Sequence, residues 1–321
     1  MVQKKTFTKK QLETLSAEEI IEKIQNENYS LLTTLGGEKL RKEMVPIGKA
    51  CHAIANYFIK TSGPKKNEAE HNLNARKKMG KTMKRFAPVE YDKSTFKNVS
   101  EKGLVIGFNH PSLGEILRLV ALKMDIYPDK IMLFPVNLPW YEAMAKDYKE
   151  LLKLGIVITP TITPSTWDKL GLEPDTKTYE SAKRIKTEFR HIYTKQSHDI
   201  VKNGGVIFVA PSATRQATVF KNKACYEKTE EIIPTMSMLA LKLYSDKEMD
   251  CDFLGVAVLP PEKYKRNLNL GKKYKLIATK PMTAEYIKKT YFKEKEPKKL
   301  IGFDHDFLSR IAEKLPKKFR Y

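Results

Sequence analysis

His110 and Glu115 stand five positions apart just beyond the apolar run Leu104-Val105-Ile106-Gly107-Phe108, a spacing that suits a general base and its orienting acid. The carboxylate falls about one helical turn into the next element, so it can accept a hydrogen bond from one ring nitrogen and fix the tautomer, which leaves the other nitrogen to take a proton. Of the six histidines, His52, His71, His110, His191, His198 and His305, only His110 has an acid at that distance. The same residues admit a second reading. Ser112-x-x-Glu115 is also a capping box that would turn the carboxylate toward the backbone at the helix start, and Arg118 can pair with it. A second candidate loop reads Val206-Ile207-Phe208-Val209-Ala210-Pro211-Ser212-Ala213-Thr214-Arg215. A guanidinium there can fork onto a phosphate while the Ser212 and Thr214 hydroxyls donate hydrogen bonds; the alternative is an Arg215 that ties down its own turn. Ser212 as a nucleophile is disfavoured, because the glycines that make a nucleophile elbow are missing around it.

Both loops need buried strands to present them, and the sequence supplies such strands. From about residue 87, short β-branched runs alternate with helical segments. Leu104–Phe108, Ile131–Phe134, Ile156–Thr159, Val206–Val209, Leu254–Val258 and Leu276–Ala278 read as strands covered on both faces. Glu115–Met124, Trp140–Leu152, Ser181–Val201 and Thr235–Tyr244 read as the helices between them. This alternation predicts an α/β fold with a mixed, largely parallel sheet sandwiched by helices, in which reactive groups gather at the carboxyl ends of strands. Before it, residues 1–86 read as a small helical domain, and residues 87–321 as the α/β domain. Ser16 followed by Glu19 and by Ile20, Ile21 and Ile24 marks one early helix. Ile47, Ala50, Cys51, Ile54 and Phe58 mark another, ended by Ser62-Gly63-Pro64, and Glu68–Lys84 a third. Phe307–Leu315 reads as an amphipathic helix at the far end.

Asn109-His110, four residues and an acid, followed by a strand and Pro211-x-x-x-Arg215, resembles the glycerophospholipid acyltransferase superfamily. The phrase Phe208–Arg215 is most similar to the soluble, plastid-type glycerol-3-phosphate acyltransferases, and Val256–Pro261 is similar to their later strand ending in prolines. The resemblance spans roughly residues 85 to 280. It implies transfer of a fatty acyl group from an acyl carrier protein or coenzyme A thioester to a hydroxyl of glycerol 3-phosphate or a related lysophospholipid, with the thioester as co-substrate and no other cofactor. In that scheme His110 is the general base, Glu115 orients it, and Asn109, Ser212, Thr214 and Arg215 bind substrate, Arg215 on the acceptor phosphate. The chain departs from the pattern at three places. Glu115 replaces the usual Asp, Ala217 stands where the plastid-type enzymes have a second Arg, and Thr159–Pro164 replaces a Lys-His pair. These departures leave the acceptor open.

Composition narrows the partners. Fifty-nine Lys plus Arg against 38 Asp plus Glu give a net charge of +21 over 321 residues. A charge of that size calls for acidic partners, and the carrier protein, coenzyme A and an anionic membrane surface all qualify. Only ten of the basic residues are Arg, and bidentate base readout favours Arg over Lys, so no specific nucleic acid is expected. The rival reading is a non-catalytic binder of nucleic acid or anionic lipid using Lys263-Tyr264-Lys265-Arg266 and Lys272-Lys273-Tyr274-Lys275. Three cysteines far apart, Cys51, Cys225 and Cys251, and the isolated Asp304-His305-Asp306 argue against a metal site. No secretory signal precedes the first helix and no apolar run approaches the roughly 18 to 20 residues of a spanning helix, so a cytoplasmic protein, peripheral at the membrane, is expected.

Overall fold

The computed structural model describes residues 4–62, 67–97, 102–111, 114–211, 235–261, 269–292 and 297–317. The first elements in chain order are helices α1 (Lys9–Thr14), α2 (Ala17–Asn26), α3 (Leu31–Thr34), α4 (Glu38–Lys60) and α5 (Glu68–Phe86). Then come β1 (Val89–Glu90), α6 (Lys93–Lys97), β2 (Gly103–Phe108), α7 (Gly114–Ile126), β3 (Met132–Asn137), α8 (Leu138–Met144), α9 (Tyr148–Lys153) and β4 (Ile156–Thr161). The remainder comprises α10 (Pro164–Leu170), α11 (Lys177–Lys202), β5 (Val206–Val209), α12 (Thr235–Leu243), β6 (Cys251–Leu259), β7 (Tyr274–Ala278), α13 (Ala284–Tyr291) and α14 (Pro297–Glu313). The chain divides into two compact units, residues 1–72 with 133–196, and residues 73–132 with 197–321.

In the first unit the Ser16 capping box forms as the sequence predicts. The Ser16 hydroxyl accepts from Glu19 N at 3.2 Å, the Glu19 carboxylate accepts from Ser16 N at 2.7 Å, and Ile20 and Ile24 are fully buried. The helix expected around Ile47–Phe58 is longer than the sequence suggests, running from Glu38 through Pro46, and it buries only part of the expected stripe. Ile54 is 40% exposed and Ala50 is exposed, whereas Gly48, Ala55 and Phe58 are buried. Close packing of α8 explains this: a Cβ on Gly48 would come within 2.4 Å of the Ala143 carbonyl oxygen, so small residues must line the contact. The single helix expected over Trp140–Leu152 is instead α8, a 3-10 turn over Ala145–Asp147, and α9. At that turn the buried Asp147 carboxylate meets His52 Nδ1 on α4. Buried Glu142 accepts from Ser30 Oγ at 2.6 Å and Leu32 N at 2.8 Å, so the start of α3 is held by a fully engaged carboxylate.

The second unit holds the sheet order β1-β7-β6-β2-β5. β2 runs parallel to β5 and to β6, β1 parallel to β7, and β6 antiparallel to β7, so the sheet is mixed and largely parallel as expected. All six residues of β2 are buried, which requires cover on both faces. One cover is α14, whose Phe303, Phe307, Leu308, Ile311 and Ala312 are buried; the amphipathic helix expected over Phe307–Leu315 starts earlier, at Pro297, and ends at Glu313. Phe307 lies so close over β2 that a Cβ at Gly107 would meet its ring at 2.3 Å. Asp304 on the same helix accepts from Met236 N at 2.8 Å and Ser237 N at 3.1 Å, which fixes the first turn of α12; burial pushes its carboxyl up to about 6.

Candidate active site

The strand ends of the second unit converge where the sequence placed its chemistry. Gly107 pairs with Val209 and Phe108 with Val256, so β2, β5 and β6 end at one edge of the sheet. Asn109, fully buried, clasps that edge. Its Nδ2 donates to Val258 O at 3.0 Å and its Oδ1 accepts from Val258 N at 2.6 Å. The residue expected to contact substrate thus has both ends of its amide on the backbone of β6. The clasp lets the chain leave β2 at a fixed angle, and His110 follows directly.

His110 Nδ1 contacts Glu115 Oε1. Glu115 lies in the first turn of α7 with a side chain of zero exposure, where the positive end of the helix dipole favours a carboxylate. The imidazole is 16% exposed and edges onto the Phe108 ring at 6.3 Å between centroids. A carboxylate on Nδ1 selects Nε2 as the nitrogen that can accept a proton from a bound hydroxyl. Of the two readings of Glu115, the structure displays the contact with the imidazole; Ser112, the capping partner in the other reading, lies outside the described residues. Ser212, Thr214 and Arg215 likewise lie outside them. The described chain reaches Ala210 and Pro211, which leave β5 at the edge that carries Asn109 and His110.

Arg118 braces this turn in a way that sequence reasoning missed. It is fully buried, donates to Gly114 O at 2.7 Å, Asn269 O at 2.7 Å and Lys272 O at 2.8 Å, and lies 4.3 Å from the centroid of the Tyr274 ring. The guanidinium therefore ties the turn that carries Glu115 to the segment entering β7. An Arg three residues beyond Glu115 was visible in the sequence, but carbonyls some 150 positions away were not. Among the described residues no group of three or more His, Cys, Asp or Glu side chains is arranged to hold a metal ion, and no helix is long and apolar enough to cross a membrane.

The chain matches no protein-family model and no curated protein sequence. Among solved structures it is similar to the crystal structure of the 1-acyl-sn-glycerophosphate (LPA) acyltransferase PlsC from Thermotoga maritima, with a TM-score of 0.44 and 14% sequence identity over 84% of this chain and 95% of that one.

Proposed function

We propose that this chain is an O-acyltransferase that moves a fatty acyl group from an acyl carrier protein or coenzyme A thioester to a hydroxyl of glycerol 3-phosphate or a related lysophospholipid. The observation that carries this reading is the contact between His110 Nδ1 and the buried Glu115 carboxylate at the carboxyl ends of parallel strands. His110 Nε2 takes the proton of the acceptor hydroxyl as its oxygen attacks the thioester carbonyl, and the imidazolium returns that proton to the departing thiolate as the carbon–sulfur bond breaks and the ester forms. Glu115 holds the ring and offsets the imidazolium charge as it forms. A net charge of +21 suits the anionic donors and acceptors this chemistry uses. Arg215, by the resemblance stated above, takes the acceptor phosphate.

The test is release of free thiol from acyl-carrier and acyl-coenzyme A donors across a panel of phosphorylated and unphosphorylated alcohols. One acceptor class is expected to drive release, and Arg215→Ala is expected to raise its KM while leaving donor affinity nearly unchanged. Full release in the His110→Ala protein would refute the assignment.

A further inference from the structure

Among the described residues the two most exposed large apolar side chains are Phe86, at 64%, and Leu270, at 58%. They are not scattered: Gly271 N donates to Phe86 O at 2.8 Å, so the residue that ends α5 and the residue at the tip of the turn before β7 sit on adjoining backbone. The turn pushes Leu270 outward. Asn269 and Gly271 on either side of it both have positive φ, 44° and 72°, Lys272 N closes onto Asn269 O at 3.1 Å, and a Cβ at Gly271 would meet nothing within 4 Å. An asparagine and a glycine in left-handed conformations are what a tight projecting turn requires. Single exposed apolar residues need no explanation, but two such residues on adjoining backbone do.

The surroundings of the tip are basic. Along the two adjoining stretches, residues 85–90 and 269–275, four basic residues, Arg85, Lys272, Lys273 and Lys275, outnumber one acid, Glu90, which pairs with Lys273 at 2.6 Å and with Lys275 at 3.6 Å. Arg85, Lys272 and Lys273 are exposed. The tip also has a fixed relation to the candidate active site, because Arg118 holds Asn269 O and Lys272 O while bonding Gly114 O in the turn that carries Glu115. In addition, Lys275 pairs with Leu259 at the end of β6, one residue beyond the Asn109 clasp.

We propose that Phe86 and Leu270 form a docking tip that enters the interface of an anionic lipid bilayer, with Arg85, Lys272 and Lys273 against its headgroups. Exposed apolar side chains on an outward-facing turn, flanked by lysines, suit the interface of a deformable bilayer. Compact lysine charges suit diffuse attraction to a charged surface, which needs no planar fork. Docking here turns the His110 edge of the sheet toward the bilayer, where a lipid acceptor resides; that consequence rests on the acyltransferase reading, while the docking itself does not.

The experiment is co-sedimentation of the full chain with vesicles of phosphatidylglycerol mixed with phosphatidylcholine, and with vesicles of phosphatidylcholine alone. Binding is expected to the anionic vesicles, weakening as salt rises. F86S/L270S is expected to lower the partition coefficient by about tenfold or more, and K272E/K273E to lower it while leaving far-ultraviolet circular dichroism unchanged. Phe86→Trp is expected to shift its emission to the blue when anionic vesicles are added. The proposal is overturned by an unmodified chain that ignores anionic vesicles, by F86S/L270S protein that binds them as tightly as the parent, or by a Phe86→Trp emission that does not move. Capture of an acidic carrier protein through these residues in place of vesicles overturns it as well. His110→Ala protein is expected to bind vesicles normally, so a failure of the catalytic reading and a failure of docking register in different assays.

Discussion

His110 and His52 each meet a buried carboxylate through Nδ1, yet the two pairs are built differently. His110 follows a six-residue strand buried along its whole length, and its acid lies five positions on, in the first turn of the next helix. His52 lies partway along α4, and Asp147 reaches it from a 3-10 turn 95 positions away. Both carboxylates are closed to solvent, with side chains 0% and 3% exposed. The rings differ. His110 is 16% exposed and His52 is 52% exposed, with the Asn56 amide nitrogen 3.2 and 3.3 Å from its two ring nitrogens. Contact with a buried acid therefore does not by itself define a base. A base gains from a low local dielectric and from strand ends that can present a substrate, and only His110 has both.

The sharpest way to break that comparison is to remove each ring in turn. His110→Ala is expected to lower thioester-dependent turnover by about a hundredfold to ten-thousandfold, the usual contribution of a positioned general base. His52→Ala is expected to stay within about twofold of the unmodified chain. Initial rates with saturating donor decide it, and equal losses in the two variants would erase the distinction. Glu115→Gln keeps the shape of the acid and removes its charge. Its loss is expected to approach that of His110→Ala, because the imidazolium formed during proton transfer then lacks its counter-charge.

Much of this was legible in advance, and the illegible parts share a cause. Buried strands announce themselves as runs of β-branched residues, so β2, β5 and β6 were readable, and the dyad was readable because five positions is a local spacing. The Ser16 capping box and the last two turns of α14 were readable for the same reason. A two-residue strand such as β1 carries no periodicity. Ala50 and Ile54 of α4 were misplaced because packing at Gly48 depends on Ala143, and the apolar pattern of α4 holds no trace of it. The Arg118 brace and the His52–Asp147 pair join positions 95 to 154 apart in sequence, and no window of local pattern contains both partners. The Asn109 clasp on Val258 spans 149 positions and was hidden in the same way.

The two regions also differ in how they treat a buried charge. Glu142 in the first unit is engaged by a hydroxyl and a backbone amide. Lys123, near the carboxyl end of α7, is fully buried, and its ammonium has only the Met124 sulfur, at 3.9 Å, as a hydrogen-bond partner among the described residues. Burial, reinforced by the Arg76 charge and partly offset by Asp129, lowers its pKa from 10.5 to about 7. A depressed pKa in the folded state means that the unfolded chain binds the extra proton between those two values. Stability from this group is thus fully present above 10.5 and is lost as pH falls toward 7. Thermal melts are expected to show stability rising by about 2 to 3 kcal/mol from pH 7 to pH 9, at 1.36 kcal/mol per unit. Lys123→Met is expected to flatten that rise and to raise the melting temperature at pH 6. A slope unchanged by the substitution would mean that α7 carries no such frustrated charge.

The smallest effect is expected at Asp147. Asparagine there preserves shape and a hydrogen bond to a ring that is half in water, so the charge it removes was already screened on the histidine side. The other carboxylate oxygen, Oδ2, is buried with no hydrogen-bond partner among the described residues, and an uncharged amide is easier to bury at such a point than an anion. These effects oppose each other, and Asp147→Asn is expected to change stability by no more than about 1 kcal/mol in either direction and to leave turnover unaltered. Melting curves and initial rates on the same preparation test both halves. If this substitution instead matched the kinetic loss of Glu115→Gln, the exposure of the ring would not be what separates the two pairs, and the catalytic role would have to be sought on both histidines.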